Sequence, residues 1–404
     1  VPQHLFEEWE KKDPVVNYEQ FLLDENLITE NQVIDLKHQI DEEIESGLKA
    51  ASDEEELIAD TKTESQAIFR QHTFLERKPS TTTKKKMRLV DAVSDGLRMA
   101  MESHEDLVIM GQDIAEYGGV FKITDGFIDQ FGKERVRNTP ICESAILGVG
   151  LGLSIAGKKS VIEMQFADFI TSGFNQVVNN LAKSHYRWGQ KADVVVRMPT
   201  GAGVAAGPFH SQSNEAWFFH TPGLKIVYPA TPSDTKGLLL AAIDDPNTVM
   251  FFEHKALYRS IVEEVPTNNF TIEIGKAKLV NEGEDLSIIT YGMGIHWATK
   301  LLQENLTISA DLLDLRTLAP LDYEAIVQTV KKTGKVLILH EDTLTGGIGG
   351  EISAYISEHL FEHLDAPIVR CGSLDTPVPF AHALEQNFLP ETRFREKVME
   401  LLEY

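Results

Sequence analysis

Two α/β modules, each a largely parallel sheet covered by helices on both faces, preceded by a helical N-terminal segment, are what this 404-residue sequence predicts. Three observations carry the prediction. From Met87 onward, short continuous apolar runs alternate with helix-length stretches, the pattern of strands buried on both faces. The alternation comes in two sets, separated near residue 275. Residues 1–86 have another texture, acidic and helical at first and then polar.

The helical segment, residues 1–60, is read from Glu30 to Ala50, where Val33, Leu36, Ile40, Ile44 and Leu48 recur at steps of three and four. They make one apolar stripe with acidic faces around it, as in a solvated helix laid on a neighbour. Residues 61–86 read as a linker. In RKPSTTTKKK, residues 77–86, one proline, three threonines and five basic residues cannot build a core, so an exposed, protease-sensitive connection is expected, in preference to a contact with an acidic partner. The first module, residues 87–275, opens with the helix RLVDAVSDGLRMAMES. Strands follow in LVIMGQD, SVIEMQF, DVVVRMP, KIVYPA and TVMFFEH, with a helix over FNQVVNNLAKSHYR. The second module, residues 276–404, reads as a compact βαβαβαβ unit: DLSIITYG, a helix over 295–302, ADLLDL, a helix over 323–331, KVLILH, a helix over 350–360, and PIVRCG.

Charge narrows the function classes. With 38 Lys and Arg against 62 Asp and Glu, the net charge is −24, which repels phosphate backbones and anionic lipid and speaks against nucleic acid and membrane as partners. Residues 1–60 hold 18 acidic and 4 basic side chains, a net of −14, leaving −10 for the rest. No uncharged run reaches the roughly 18 residues of a membrane span, and no basic-then-apolar leader opens the chain. A cytoplasmic location is the expectation. Cys142 and Cys371 are the only cysteines and lie in no CxxC or His-rich context, so neither a disulfide nor a zinc site is expected.

Ligands of open α/β sheets bind beyond the carboxyl ends of the strands. Glu143 stands at such a place, before a helix in which Ala145, Gly148, Gly152 and Ala156 share a face that would let another backbone approach. Crowding there predicts a desolvated carboxyl; the plainer reading is a helix-start carboxylate stabilised by the dipole. In PTGAGVAAGPFHSQS, residues 199–213, a strand end runs into a glycine-rich loop from which His210 emerges. Glycine allows close approach of backbone to a ligand, and histidine changes charge near neutral pH, although a mere flexible connection has the same composition. No GxxxxGK[ST] is present and no GxGxxG follows a strand, and YGMG at 291–294 is weak support for a dinucleotide site. HEDTLTGGIGGE, residues 340–351, again sets a His-Glu pair and glycines at a strand end, where an ordinary turn is the favoured reading.

Taken together, PICES (140–144), EMQFADF (163–169), HSQSNEAWFFHTPGLKIVYPATPSDTKGLLLAAI (210–243), FFEHKALYR (251–259) and HEDTLTGGIGGE resemble the beta subunit of thiamine-diphosphate-dependent 2-oxo acid dehydrogenases. The resemblance runs from Met87 to Tyr404 and is nearest the branched-chain type, with pyruvate and acetoin relatives close behind. It implies a thiamine-binding pyrimidine-type domain over 87–275 and a transketolase C-terminal-type domain over 276–404. Residues 1–50 resemble the C-terminal end of the alpha subunit, which implies a truncated alpha-beta fusion, in keeping with a first residue that is Val1.

The resemblance also implies roles. Glu143 would hydrogen-bond N1′ of the thiamine aminopyrimidine, Ile141 would contact the cofactor through its backbone, and Gln165 and Phe169 would line the ring, Phe169 standing where the branched-chain enzyme has Tyr. His210 would serve transfer of the acyl group to a lipoyl arm; its neighbour His220 is read as structural. A potassium site is implied at Ala192, Val194, Val195, Ala242, Asp245 and Asn247, Ala242 replacing the branched-chain enzyme's Cys. The family holds Mg²⁺ through a GDG motif and a later Asn pair; this chain has no GDG, and Asn179-Asn180 lacks that partner. Magnesium is therefore expected on an alpha half, without which the chain would be inactive. The other implied partners are a lipoylated acyltransferase and a second beta copy. A transketolase-like enzyme and a non-catalytic assembly subunit are the competing readings, the second opposed by the presence of both Glu143 and His210.

Overall fold

The computed structural model describes residues 1–404, which fall into two compact units, Val1–Glu64 and Ser65–Tyr404. In the first unit three helices follow one another, Gln3–Glu10, Pro14–Asp24 and Glu30–Ser52. Asp13 caps the second by accepting from the N–H groups of Val15 and Val16, with Pro14 at the first helical position. Thr29 and Gln32 form a reciprocal capping box on the third. The stripe predicted on that helix is present but mostly uncovered: Val33 alone is buried, while Leu36, Ile40, Ile44 and Leu48 are at least half exposed. No helix of the chain is long and apolar enough to cross a membrane.

The second unit contains fourteen strands: β1 (Lys84–Arg88), β2 (Val108–Gly111), β3 (Val136–Asn138), β4 (Ser160–Glu163), β5 (Val194–Thr200), β6 (Lys225–Val227), β7 (Val249–His254), β8 (Val262–Pro266), β9 (Lys278–Asn281), β10 (Leu286–Thr290), β11 (Ala310–Asp314), β12 (Thr317–Ala319), β13 (Val336–Thr343) and β14 (Val369–Ser373). Seven form one sheet in the order β12-β6-β7-β5-β4-β2-β3, parallel except for β12. Five form a second, β14-β13-β10-β11-β9, parallel except for β9.

Alternation along the strands shows both faces of each sheet to be buried. In β5, Val194, Val196 and Met198 enter one core and Val195 the other. In β13, Val336 and Ile338 share the first of these cores, whereas Leu337 and Leu339 enter a third. One apolar layer therefore runs between the two sheets and joins the modules. On the outer face of the larger sheet, helix Leu89–Ser103 packs on helix Pro232–Asp244, close enough that a Cβ at Gly96 would lie 3.4 Å from Leu239.

Three sequence expectations need correction. The stretch 77–86 is mostly exposed but is not a free linker: Arg77 N–H donates to Thr271 Oγ1 at 2.9 Å, Ser80 N–H to Asn268 Oδ1 at 2.8 Å, and β1 pairs antiparallel with β8. The helix expected over 174–187 breaks into a π-type turn over Gln176–Leu181 and a short helix, Ser184–Trp188. The small-residue face of helix Glu143–Ile155 is not crowded. A Cβ at Gly152 would meet nothing within 4 Å and one at Gly148 only the tip of Gln176, whereas Gly150, on the other side, abuts Ile162.

Candidate functional site

Glu143 opens helix Glu143–Ile155 just beyond β3, at the carboxyl edge of the larger sheet. Its carboxylate is half-buried, not desolvated as expected, because the helix flank beside it is open, and it accepts from Gln112 Nε2 at 3.2 Å. Ile141, two residues earlier, is 84% exposed. Gln165 and Phe169 leave the end of β4, both half-buried. The short helix Ala167–Gly173 then returns to Glu143: a Cβ on Gly173 would lie 3.4 Å from the Glu143 backbone.

The histidine loop reaches the same border. The His210 imidazole meets Phe166 edge-on with ring centres 5.0 Å apart and Phe169 at 5.4 Å, and the two phenyl rings touch each other at 5.5 Å. Of the predicted residues, the structure thus puts Phe169 against His210, places the Phe169 segment against the Glu143 helix, and shows no direct contact between Glu143 and His210. A cavity of about 400 Å³ adjoins Phe166, lined also by Val120, Phe121, Val204, Lys255 and Arg259. Burial pushes the Lys255 ammonium down to about 8 while its Nζ donates to Gly201 O at 2.5 Å. A second cavity, about 550 Å³ beside Leu279, Asp311 and Lys332, shares none of these residues.

Beneath the strand ends lie charges that sequence reasoning missed. Arg197 in β5 is completely buried between Glu163 and Glu253, its register neighbourhood set by β4 and β7. Nη1 donates to Glu163 at 2.8 Å, and Nε and Nη2 clasp Glu253 at 2.7 and 2.8 Å. His254 Nε2 bonds Glu341 at 2.6 Å, so the Glu of HEDTLTGGIGGE faces a histidine of the other module and not its sequence neighbour. His340 instead turns Nδ1 to the Asp342 carbonyl, and burial pushes its imidazole down to about 4. That motif is therefore more than an ordinary turn. Alternate apolar runs carry no signal for such cross-strand charge pairs.

The donor sets fit the implied groups in part. One Glu143 oxygen faces no protein donor, and Ile141 is exposed three residues beyond β3, as an aminopyrimidine site would need. The six residues of the implied cation site are all buried. Ala242 sits in the last turn of its helix, four residues before Pro246, which has no N–H to give its carbonyl, leaving an oxygen suited to a hard cation. Other oxygens there are already engaged: Ala192 O accepts from Val194 N–H and Thr248 Oγ1, both at 2.9 Å, and the Asp245 carboxylate holds Lys225 Nζ at 2.5 Å. Cys142 and Cys371 are both free, the first exposed and the second buried.

The fold is that of a pair of transketolase-type modules. Residues 85–260 match the family described as transketolase, pyrimidine binding domain, and residues 275–393 the transketolase C-terminal domain. A solved relative, a split-gene transketolase as an inactive beta4 tetramer, superposes with a TM-score of 0.64 over 78% of this chain and 98% of its own, at 24% identity. Among curated proteins, the chain is 47% identical over 308 residues to the 2-oxoisovalerate dehydrogenase subunit beta of Bacillus subtilis (strain 168), covering 75% of this chain and 94% of that one. It is 46% identical over 314 residues to the mitochondrial 2-oxoisovalerate dehydrogenase subunit beta of Dictyostelium discoideum, 76% and 84% of the two chains. The pyruvate dehydrogenase E1 component subunit beta of Bacillus subtilis (strain 168) follows at 40% over 308 residues, 75% and 94%. The chain belongs to the beta subunits of the 2-oxo acid dehydrogenases.

Proposed function

We propose that this chain is the beta half of the decarboxylating first component of a branched-chain 2-oxo acid dehydrogenase, with thiamine diphosphate as cofactor and a lipoyl group as acyl acceptor. The observation that carries the reading is the shared border of the Glu143 helix, the Phe169 segment and the His210 loop, set in a sequence that is 47% identical to a 2-oxoisovalerate dehydrogenase beta subunit. Bound thiamine diphosphate would supply the electron sink that loss of carbon dioxide from a 2-oxo acid requires. Glu143 would hold a proton at the carboxylate oxygen that Gln112 leaves free and share it with the aminopyrimidine N1′. Ile141 would support the cofactor through its backbone, and Gln165 and Phe169 would line the ring and exclude water. His210, held edge-on by Phe166 and Phe169, would move a proton as the acyl group passes to the lipoyl sulfur.

Magnesium would be held by an alpha half, since no GDG occurs in these 404 residues. The chain alone would then bind the diphosphate poorly and turn over no oxo acid. Residues 1–60 would be the tail of such an alpha part on the same polypeptide, and a lipoylated acyltransferase and a second beta copy its further partners. Potassium would sit at the carbonyls of Ala192, Val194, Val195, Ala242, Asp245 and Asn247. Titrating thiamine diphosphate and Mg²⁺ into the isolated chain and into the enzyme reconstituted with an alpha subunit is the test. Turnover is expected only in the second; turnover by the chain alone would sink the half-site reading, and Glu143→Gln decarboxylating at the wild-type rate would sink the assigned mechanism.

A further inference from the structure

We propose that Glu341 and Glu385, two carboxylates of the second module, position His210 by gripping the backbone of the loop that carries it. The inference rests on the role proposed above for His210. The loop between β5 and helix Glu215–Phe219 has no regular structure of its own, and Gly201, Gly203, Ala205 and Gly207 all adopt positive φ, between 55° and 88°. A backbone of this kind is soft unless something external holds it.

Here the hold comes from across the seam. Ala202 N–H donates to Glu341 Oε1 at 2.6 Å. Gly203 N–H donates to Glu385 Oε1 at 3.0 Å, and Ala205 N–H spans both Glu385 oxygens at 3.1 and 3.0 Å. Amides converging in this way make an anion-binding concavity, here filled by protein carboxylates. Glu385 is 1% exposed and accepts only from loop amides, so it would be left as a buried charge if the loop let go, and such a charge is costly without donors, whereas Glu341, 6% exposed, would keep its bond to His254. The loop is therefore held in one course. A third contact lies nearer the histidine: a Cβ at Gly207 would overlap the Phe380 ring, so glycine lets the second module press against the chain three residues before His210.

The first module anchors the loop's two ends. Lys255 Nζ donates to Gly201 O at 2.5 Å, Gly201 N–H to Gln212 O at 3.2 Å, and Gln212 offers its N–H and Nε2 to Asp168 at 3.2 and 2.9 Å. His210 thus stands two residues from one anchor, at the end of a span whose middle hangs on Glu341 and Glu385. Loss of the Glu385 grip leaves His210 in place in sequence but free to leave the frame of Phe166 and Phe169. A displacement of an ångström in a proton-transferring group costs on the order of a hundredfold in rate.

The test uses the full chain reconstituted with an alpha subunit and compares wild type, Glu385→Ala, Glu385→Gln and His210→Ala. Decarboxylation is read with a dye as electron acceptor, and acyl transfer with a free lipoyl domain. In Glu385→Ala, kcat for acyl transfer should fall roughly a hundredfold with KM for the lipoyl domain unchanged, while the dye-linked rate stays near wild type. Glu385→Gln keeps a carbonyl oxygen for the loop amides and should restore most of the loss. Parallel loss of both rates, or no loss in either, overturns the inference; so does failure of Gln to rescue. If Glu385→Ala does not fold, Glu385→Asp, with the carboxylate withdrawn by one methylene, must show the same split. Acyl transfer abolished in His210→Ala but intact in Glu385→Ala refutes the positioning alone, whereas acyl transfer intact in His210→Ala refutes the role of His210 and the inference with it.

Discussion

Arg197→Met would remove the one cation from the charged knot under the strand ends. The guanidinium is fully buried, makes one bond of 2.8 Å to Glu163 and two of 2.7 and 2.8 Å to Glu253, and Glu253 also accepts from Tyr258 Oη at 2.7 Å. Two carboxylates against one guanidinium leave the knot a net negative charge. Even beside Arg197, burial holds the Glu163 carboxyl above its usual range. Removing one member of a buried ion pair costs about 3–5 kcal/mol, and here two carboxylates lose their partner, so a loss of about 5 kcal/mol is expected at pH 7. The sign with pH follows from linkage. Without the arginine, burial holds the Glu163 carboxyl still further above its unfolded value, so the stability it contributes is intact at low pH and is lost as pH rises through the elevated folded value. Urea-unfolding midpoints of wild type and Arg197→Met at pH 8, 7 and 5.5 should therefore show a penalty that shrinks toward acid. Adding Glu163→Gln and Glu253→Gln should recover most of it, because a neutral buried set costs less than an orphaned charge. A penalty below about 1 kcal/mol, or one that is flat with pH, would refute the reasoning.

Asp314 offers a second pH signature. Burial beside Asp234 pushes its carboxyl up to about 7; Oδ1 accepts from Arg316 N–H at 2.9 Å and Oδ2 has no partner. Its contribution is full below the unfolded value and lost as pH rises toward the folded one, so the stability of Asp314→Asn relative to wild type should increase by roughly 1–3 kcal/mol from pH 5 to pH 8, read by calorimetry. Gly223→Ala should destabilise by roughly 2–4 kcal/mol, because φ is 96° and the new methyl would overlap the Ala182 carbonyl; an unchanged melting temperature would contradict that packing. Exchanging potassium for tetramethylammonium should lower the melting temperature of the chain, and equal values in the two salts would exclude a cation held by the Ala242 carbonyl.

The parallel frame was legible because its strands are buried on both faces and spell continuous apolar words, as VVVRMP and VMFFEH do for β5 and β7. The antiparallel additions were not. Only Met87 of β1 is buried and no residue of β9 is, so pairing with β8 and β11, and no local periodicity, makes them strands. The helix over 174–187 was misjudged for a related reason. Asn175 bonds Asn179 and Gln176 bonds Asn180 through their side chains, and the docking of Ala182 against Gly223 is a tertiary demand with no trace in the repeat.

The site divides along the same line. Glu143 and His210 were visible as polar side chains that follow strands, a position where an open α/β sheet binds its ligands. Glu341 was noticed only as part of a turn, and Glu385 not at all, although both hold the loop that presents His210. Their partners lie 139 and 182 residues away and are backbone N–H groups. An amide donor is the same in every residue but proline, so a carboxylate that grips backbone leaves no complementary charge, no matching side chain and no spacing to read. What it does demand is the path of the backbone, and that demand shows indirectly, in the glycines at 201, 203 and 207 whose positive φ lets three amides turn toward one neighbouring module. Those glycines were read as room for a ligand; in the structure the space at Gly201 and Gly207 is filled from within the protein, by His254 and by Phe380.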